Sequence, residues 1–169
     1  MRFGQSAYPL MTGPLPWRPV LPRDGVELTE TVEEFAAALL MSWSATARLL
    51  GLSSSDDPAR LPPTAGVWLA DERIGRVATR LGVAEESLAS ATLRSWKLLL
   101  PEQLSERDAA RQLLATNRFR ISGCPRCPQC LQEGRGWQIR WRLAWVHSCV
   151  EHQRQLVRDC SRCGRVSPS

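Results

Sequence analysis

Apolar residues of the N-terminal half fall into stripes with helical spacing. From Thr31, the positions Val32, Phe35, Ala36, Leu39, Leu40 and Trp43 lie on one face of a helix, and Ala47, Leu49 and Leu50 continue that face as far as Gly51. Thr31-x-x-Glu34 has the form of a capping box at its start, and Gly51 is a plausible stop. The run SSSDDPARLPP (53–63) reads as a loop. In WLADERIGRVATRLGVAEESLASATL, Asp71 can cap a helix through Leu81, Gly82 breaks it, and a second helix runs from Ala84 or Glu85 to about Leu93. Ala78, Gly82 and Leu88 have helix-turn-helix spacing: alanine permits close approach, glycine turns, and leucine pins the second helix. Residues 95–115 predict one or two more helices with Pro101 as a boundary.

Toward the C-terminus the pattern changes to period two. Trp137, Ile139, Trp141 and Leu143 alternate, predicting a strand with one buried face. With Gly134 and Gly136 near a tip, residues 131–148 predict a β-hairpin. The expected fold is therefore mainly α: an N-terminal helical helix-turn-helix domain followed by a small zinc-finger or zinc-ribbon domain with a β-hairpin. Three segments result: a proline-rich extended arm at 1–26, a helical domain at 27–117, and a zinc-binding domain at 118–169. Tyr8 and Trp17 give the arm something to dock with, on its own domain or on a partner.

Charge sharpens this division. The chain of 169 residues carries a net +5, but residues 1–117 are net −2 and residues 118–169 are net +7. Arg118, Arg120, Arg126, Arg135, Arg140 and Arg142 open the basic part, whose natural neighbours are nucleic acid or an acidic protein surface. The second helix of the helix-turn-helix, by contrast, leads with Glu85 and Glu86 and has no Arg or Lys before Arg94. That composition argues against base readout in a major groove. The proline-broken N-terminus resembles neither a signal peptide nor a membrane span, so a cytoplasmic protein with no membrane association is expected.

All six cysteines lie between Cys124 and Cys163. In a reducing compartment, paired C-x2-C spacing points to metal rather than disulfides. Cys127-x2-Cys130 and Cys149-x2-His152 supply four thiolate and imidazole ligands for one tetrahedral Zn2+. With every position filled by protein, such an ion is structural, and no nucleophile–base pair, P-loop or carboxylate dyad appears elsewhere. A non-enzymatic protein is expected. Cys160 and Cys163 form half of a second site, for which Cys124 and His147 are candidate additional ligands.

Cys127-Pro128-Gln129-Cys130-Leu131, Trp141-Arg142-Leu143-Ala144-Trp145, Cys149-Val150-Glu151-His152 and Cys160-Ser161-Arg162-Cys163-Gly164 together resemble the TniQ family over roughly residues 118–164. The 72–93 segment is similar to that family's helix-turn-helix. The resemblance implies a non-catalytic target-selection adaptor of a DNA transposon. Such a protein bridges a target-recognition complex to the AAA+ ATPase that recruits the transposase. The small size resembles compact TniQ proteins of CRISPR-associated elements, where the target complex is a CRISPR effector with guide RNA and base pairing does the reading. Family members generally continue past CxxCG to a further C-x2-C, whereas this chain ends at Ser169. DNA in the assembled complex and self-association complete the expected partners. The alternative is a direct DNA-binding protein that grips phosphates through the arginine-rich finger and the helix-turn-helix.

Overall fold

The computed structural model describes residues 21–53, 61–101, 104–105 and 108–159. Its elements are α1 (Leu28–Leu39), α2 (Trp43–Leu49), α3 (Asp71–Leu81), α4 (Glu85–Ser90), a 3-10 helix (Leu93–Leu99) and α5 (Ala109–Ala115). There follow α6 (Pro128–Gln132), a second 3-10 helix (Ile139–Arg142), and the strands β1 (Ser148–Cys149) and β2 (Arg154–Gln155). The strands pair antiparallel, with Ser148 opposite Gln155 and Cys149 opposite Arg154. Among the described residues no helix is long and apolar enough to cross a membrane. The mainly helical fold with a C-terminal hairpin agrees with the class expected from sequence.

Several local expectations are corrected. The first helix begins at Leu28, so Thr31 and Glu34 do not form a capping box. Thr31 is buried within the helix, and Glu34 pairs with Arg23 at 2.6 Å. The start instead uses distant carbonyls: Glu27 N–H donates to Trp137 O at 2.7 Å and Leu28 N–H to Ala91 O at 2.9 Å. A helix end whose open donors are satisfied by tertiary partners does not need a side-chain cap.

The stripe read as continuous from Val32 to Leu50 is two helices. Leu40 takes a left-handed conformation (φ 52°), and Ser42 accepts from Ala45 N–H at 3.2 Å to start α2. The break is invisible to the apolar spacing because both helices bury into one core. Asp71 is the first helical residue rather than the cap; it forms an ion pair with Arg94, and Ala70 occupies the cap position. Gly82 supplies the expected turn at φ 62°, and Ala78, Leu81 and Leu88 are buried around it. The second helix, α4, stops at Ser90, where Ala91 and Thr92 lead into the 3-10 helix. That helix and α5 fill the region where one or two helices were expected.

Residues 131–148 do not form the expected hairpin. Gly134 and Gly136 (φ 69° and 71°) turn the chain out of α6, and Ile139–Arg142 is a 3-10 helix. The alternation misleads because Arg142, placed on the polar side of the pattern, is itself buried, and the apolar residues serve two cores. The hairpin forms one segment later.

Three apolar clusters result. The first joins α1–α4 through residues such as Leu28, Phe35, Leu50, Leu69, Val77, Leu81 and Leu88. The second contains Val67, Trp68, Leu93, Ala109, Leu113, Phe119, Ile139 and Leu143, so it crosses the expected 117/118 division. The third surrounds Cys127, Cys130, Cys149 and Trp141. Backbone bonds reinforce the crossing: Arg120 N–H reaches Arg142 O at 2.6 Å and Ala144 N–H reaches Arg118 O at 2.8 Å. At its core sits a buried ion pair, Arg142 Nε to Glu27 Oε2 at 2.5 Å and Nη2 to Oε1 at 2.7 Å. Arg142 also donates to the carbonyls of Arg120 and Ile121 at 3.1 and 2.6 Å.

Candidate metal centre

Short local structures carry the four ligands. Pro128, with φ fixed for a helix start, stands at the first position of α6, directly after Cys127; Cys130 follows within the same turn. Cys149 lies on β1, and the hairpin turn brings His152 back over it. The three Sγ atoms and a His152 ring nitrogen all lie within 4.8 Å of one another.

The spacing fits a tetrahedral ion. Nδ1 of His152 is 3.4, 3.3 and 3.5 Å from the sulfurs of Cys127, Cys130 and Cys149, and the Cys130 and Cys149 sulfurs are 3.5 Å apart. Zinc bond lengths of about 2.3 Å to sulfur and about 2.0–2.1 Å to nitrogen imply edges of roughly 3.5–3.8 Å. A disulfide needs sulfurs at about 2.0 Å. Burial and the adjacent thiols of Cys149 and Cys127 push Cys130 up to about 12. Burial also acts on Cys149, but hydrogen bonds with His152 outweigh it and bring that thiol to about 7. Such a set wants a cation: a bound dication deprotonates its thiols outright. Cys127, Cys130, Cys149 and His152 can thus hold one metal ion such as zinc. Four protein ligands would fill a tetrahedral sphere, the arrangement of structural rather than catalytic zinc sites.

Sequence reasoning missed the support around these ligands. Glu133 Oε1 lies 3.0 Å from His152 Nε2, fixing the ring so that Nδ1 faces the sulfurs. Gln129 and Arg135 hold that carboxylate at 3.2 and 2.8 Å, and the Arg135 hydrogen bond, then that of His152, keeps it below the usual carboxylate range. The signal was present as Cys130-x2-Glu133, one helical turn beyond a ligand. Glu133→Gln is expected to weaken zinc affinity about tenfold, read by competition with a chromophoric chelator, because such supporting partners typically contribute 10–100-fold.

The tryptophans divide as their surroundings dictate. Trp141 is fully buried, Trp137 meets it edge-on at 5.9 Å, and Trp145 remains 51% exposed. Gly136 lets the N-terminal segment close on this finger, since a Cβ there would stand 2.9 Å from Val26 Cγ1.

The arginines are mostly engaged within the chain. Arg142 is 1% exposed in its pair with Glu27. Arg120 spreads over the carbonyls of Trp141, Leu143, Ala144 and Val146. Arg135 pairs with Glu133 and Glu151, and Arg140 with Glu151 at 3.8 Å. Arg126 lies 6.0 Å over the Trp137 ring and donates to Arg158 O at 3.2 Å. Arg118 is exposed, with one bond to Leu99 O at 3.3 Å. Cys124 stands outside the metal cluster. It is buried, its thiol is pushed up to about 11 by that burial, and it donates to Arg120 O at 3.4 Å. His147 is exposed. Trp17, Cys160 and Cys163 lie outside the described residues.

No curated protein matches the chain. The TniQ family model matches residues 29–156, from the first turn of α1 to the end of β2, so it takes in the helix-turn-helix, the second apolar cluster and the whole metal centre. On that match the chain belongs to the TniQ family, whose members select targets for transposition and are generally non-catalytic.

Proposed function

We propose that this protein is a non-catalytic adaptor that links a target-recognition complex, an RNA-guided CRISPR effector, to the AAA+ ATPase of a DNA transposon. One observation favours adaptor over direct DNA reader: most of the arginine-rich segment is engaged within its own fold. Of the six arginines at 118–142, Arg142 is buried, Arg120 clamps four carbonyls, and Arg135 and Arg140 face carboxylates. A phosphate grip needs cations free to displace counterions from the duplex. The helix-turn-helix points the same way, since α4 exposes Glu85 and Glu86.

Co-assembly of the zinc-loaded protein with the neighbouring ATPase, on duplex DNA with ATP, tests this at two salt concentrations. A grip on about six phosphates loses roughly a thousandfold in affinity between about 50 and 200 mM salt. An adaptor interface built on apolar burial loses far less. Co-assembly that persists at the higher salt is the expected result. Binding to DNA alone that disappears as salt rises supports the direct reader instead.

A further inference from the structure

A cleft of about 480 Å³ opens between the start of α1, the residues before Thr64 and the metal-binding finger. Its lining includes Glu30, Glu33, Trp43, Pro62, Pro63 and Trp137. The Glu27–Arg142 pair also borders it, but those two charges are committed to each other. Glu30 and Glu33, three residues apart on α1, are different. Among the described residues the Glu30 side chain accepts only the Trp137 backbone N–H, at 3.2 Å, and Glu33 makes no hydrogen bond or ion pair. Burial, then repulsion from Glu33, holds the Glu30 carboxyl above its usual range; Glu33, exposed at the rim, is raised as well, by partial burial and then by repulsion from Glu27. The Trp137 indole Nε1–H is itself buried, with no acceptor among the described residues, so Trp137 offers the cleft its ring rather than that donor.

These features select a ligand. Carboxylates beside two indoles suit a guanidinium, which is planar, always charged, donates through five N–H groups and stacks on aromatic faces. Nucleic acid is disfavoured, because the carboxylates repel its phosphates. The volume suits one side chain with its flanking backbone. We propose that this cleft docks an arginine side chain carried on an extended basic segment of a partner protein. This goes beyond the adaptor reading, which names partners but no surface, and it stands on the cleft's own chemistry.

Titration of the full-length, zinc-loaded protein with a labelled Gly-Ser-Arg-Gly-Arg-Ser peptide tests the proposal. Polarisation gives affinity, and the indole N–H signals of Trp43 and Trp137, assigned with Trp43→Phe and Trp137→Phe, give location. Saturable binding that moves both signals is expected, with a peptide carrying citrulline for arginine at least about tenfold weaker. Glu33→Gln should weaken binding about fivefold, and Glu86→Gln on α4 should leave it unchanged. Glu33 is exposed and has no partner among the described residues, so its variant should keep the wild-type zinc content and circular dichroism. Equal binding by the citrulline peptide, unmoved Trp43 and Trp137 signals, or the absence of saturable binding overturns the proposal. So does a Trp137 signal that shifts in the free protein on Arg18→Gln or Arg60→Gln, which would mean that the chain fills its own cleft.

Discussion

Stripping the metal, or replacing Cys130 with serine, is expected to unfold more than the finger. Structural zinc contributes an apparent free energy of about 10–16 kcal/mol in small domains. Whole domains are stable by only about 5–15 kcal/mol. The segment 118–159 has two short strands, one five-residue helix and one 3-10 turn, and little regular structure to persist once the four ligands separate. Its loss removes Phe119, Ile139 and Leu143 from the second apolar cluster, leaving Leu93, Ala109 and Leu113 without three of its eight buried members. Protection against hydrogen exchange should therefore vanish over 93–99 and 109–157 on chelation. It should survive in α2, α3 and α4, whose core is complete without the finger. Retained protection at 109–115 would instead put the folding boundary at 117/118, and simultaneous loss everywhere would make the chain one cooperative unit.

Arg142→Met is the second large effect. It leaves the Glu27 carboxylate buried beside an apolar chain, it removes the Arg142 donor from the Ile121 carbonyl, and it leaves the Arg120 carbonyl with only the weaker Cys124 thiol. Breaking one side of a buried pair costs about 3–5 kcal/mol, because the abandoned charge has neither water nor a counter-ion. The urea midpoint should fall accordingly. Glu27→Leu combined with Arg142→Met removes the stranded charge and should recover part of the loss. Recovery stays partial because the Ile121 carbonyl and the Thr29 hydroxyl, which donates to Glu27 at 2.5 Å, still lack the partners they had. Full recovery would mean that those bonds contribute nothing, and no initial loss would mean that the pair is solvated.

What could be read from the chain beforehand followed from local chemistry. Cys127, Cys130, Cys149 and His152 announced themselves because two tight turns must each present two ligands, and that constraint is written in spacing. Gly82 was legible for the same reason: a left-handed residue after Leu81 favours glycine. The misreadings share the opposite cause. Leu40 adopts a left-handed turn without glycine, and the α1 start is capped by Trp137 and Ala91 from far along the chain. Arg142 looked like a surface contact because arginine normally is one, and nothing near it in sequence shows Glu27 waiting inside. Glu133 was passed over because it orients His152, nineteen residues away, and its position one helical turn beyond Cys130 does not name that partner.

The partnership of Glu27 with Arg142 also sets an order of events during synthesis. Gly25, Val26 and Glu27 leave the ribosome early, yet their partners Ile139, Gln138, Trp137 and Arg142 follow more than a hundred residues later. Until then the first turn of α1 has an acidic residue at its threshold with no cation to receive it. Helices α2–α4 can gather meanwhile through contacts close in sequence, while the entry to α1 must wait for residues 137–142 to emerge. A nascent chain stalled before residue 137 should therefore present a helical core with an unlatched front edge, the form in which chaperones and proteases meet it first.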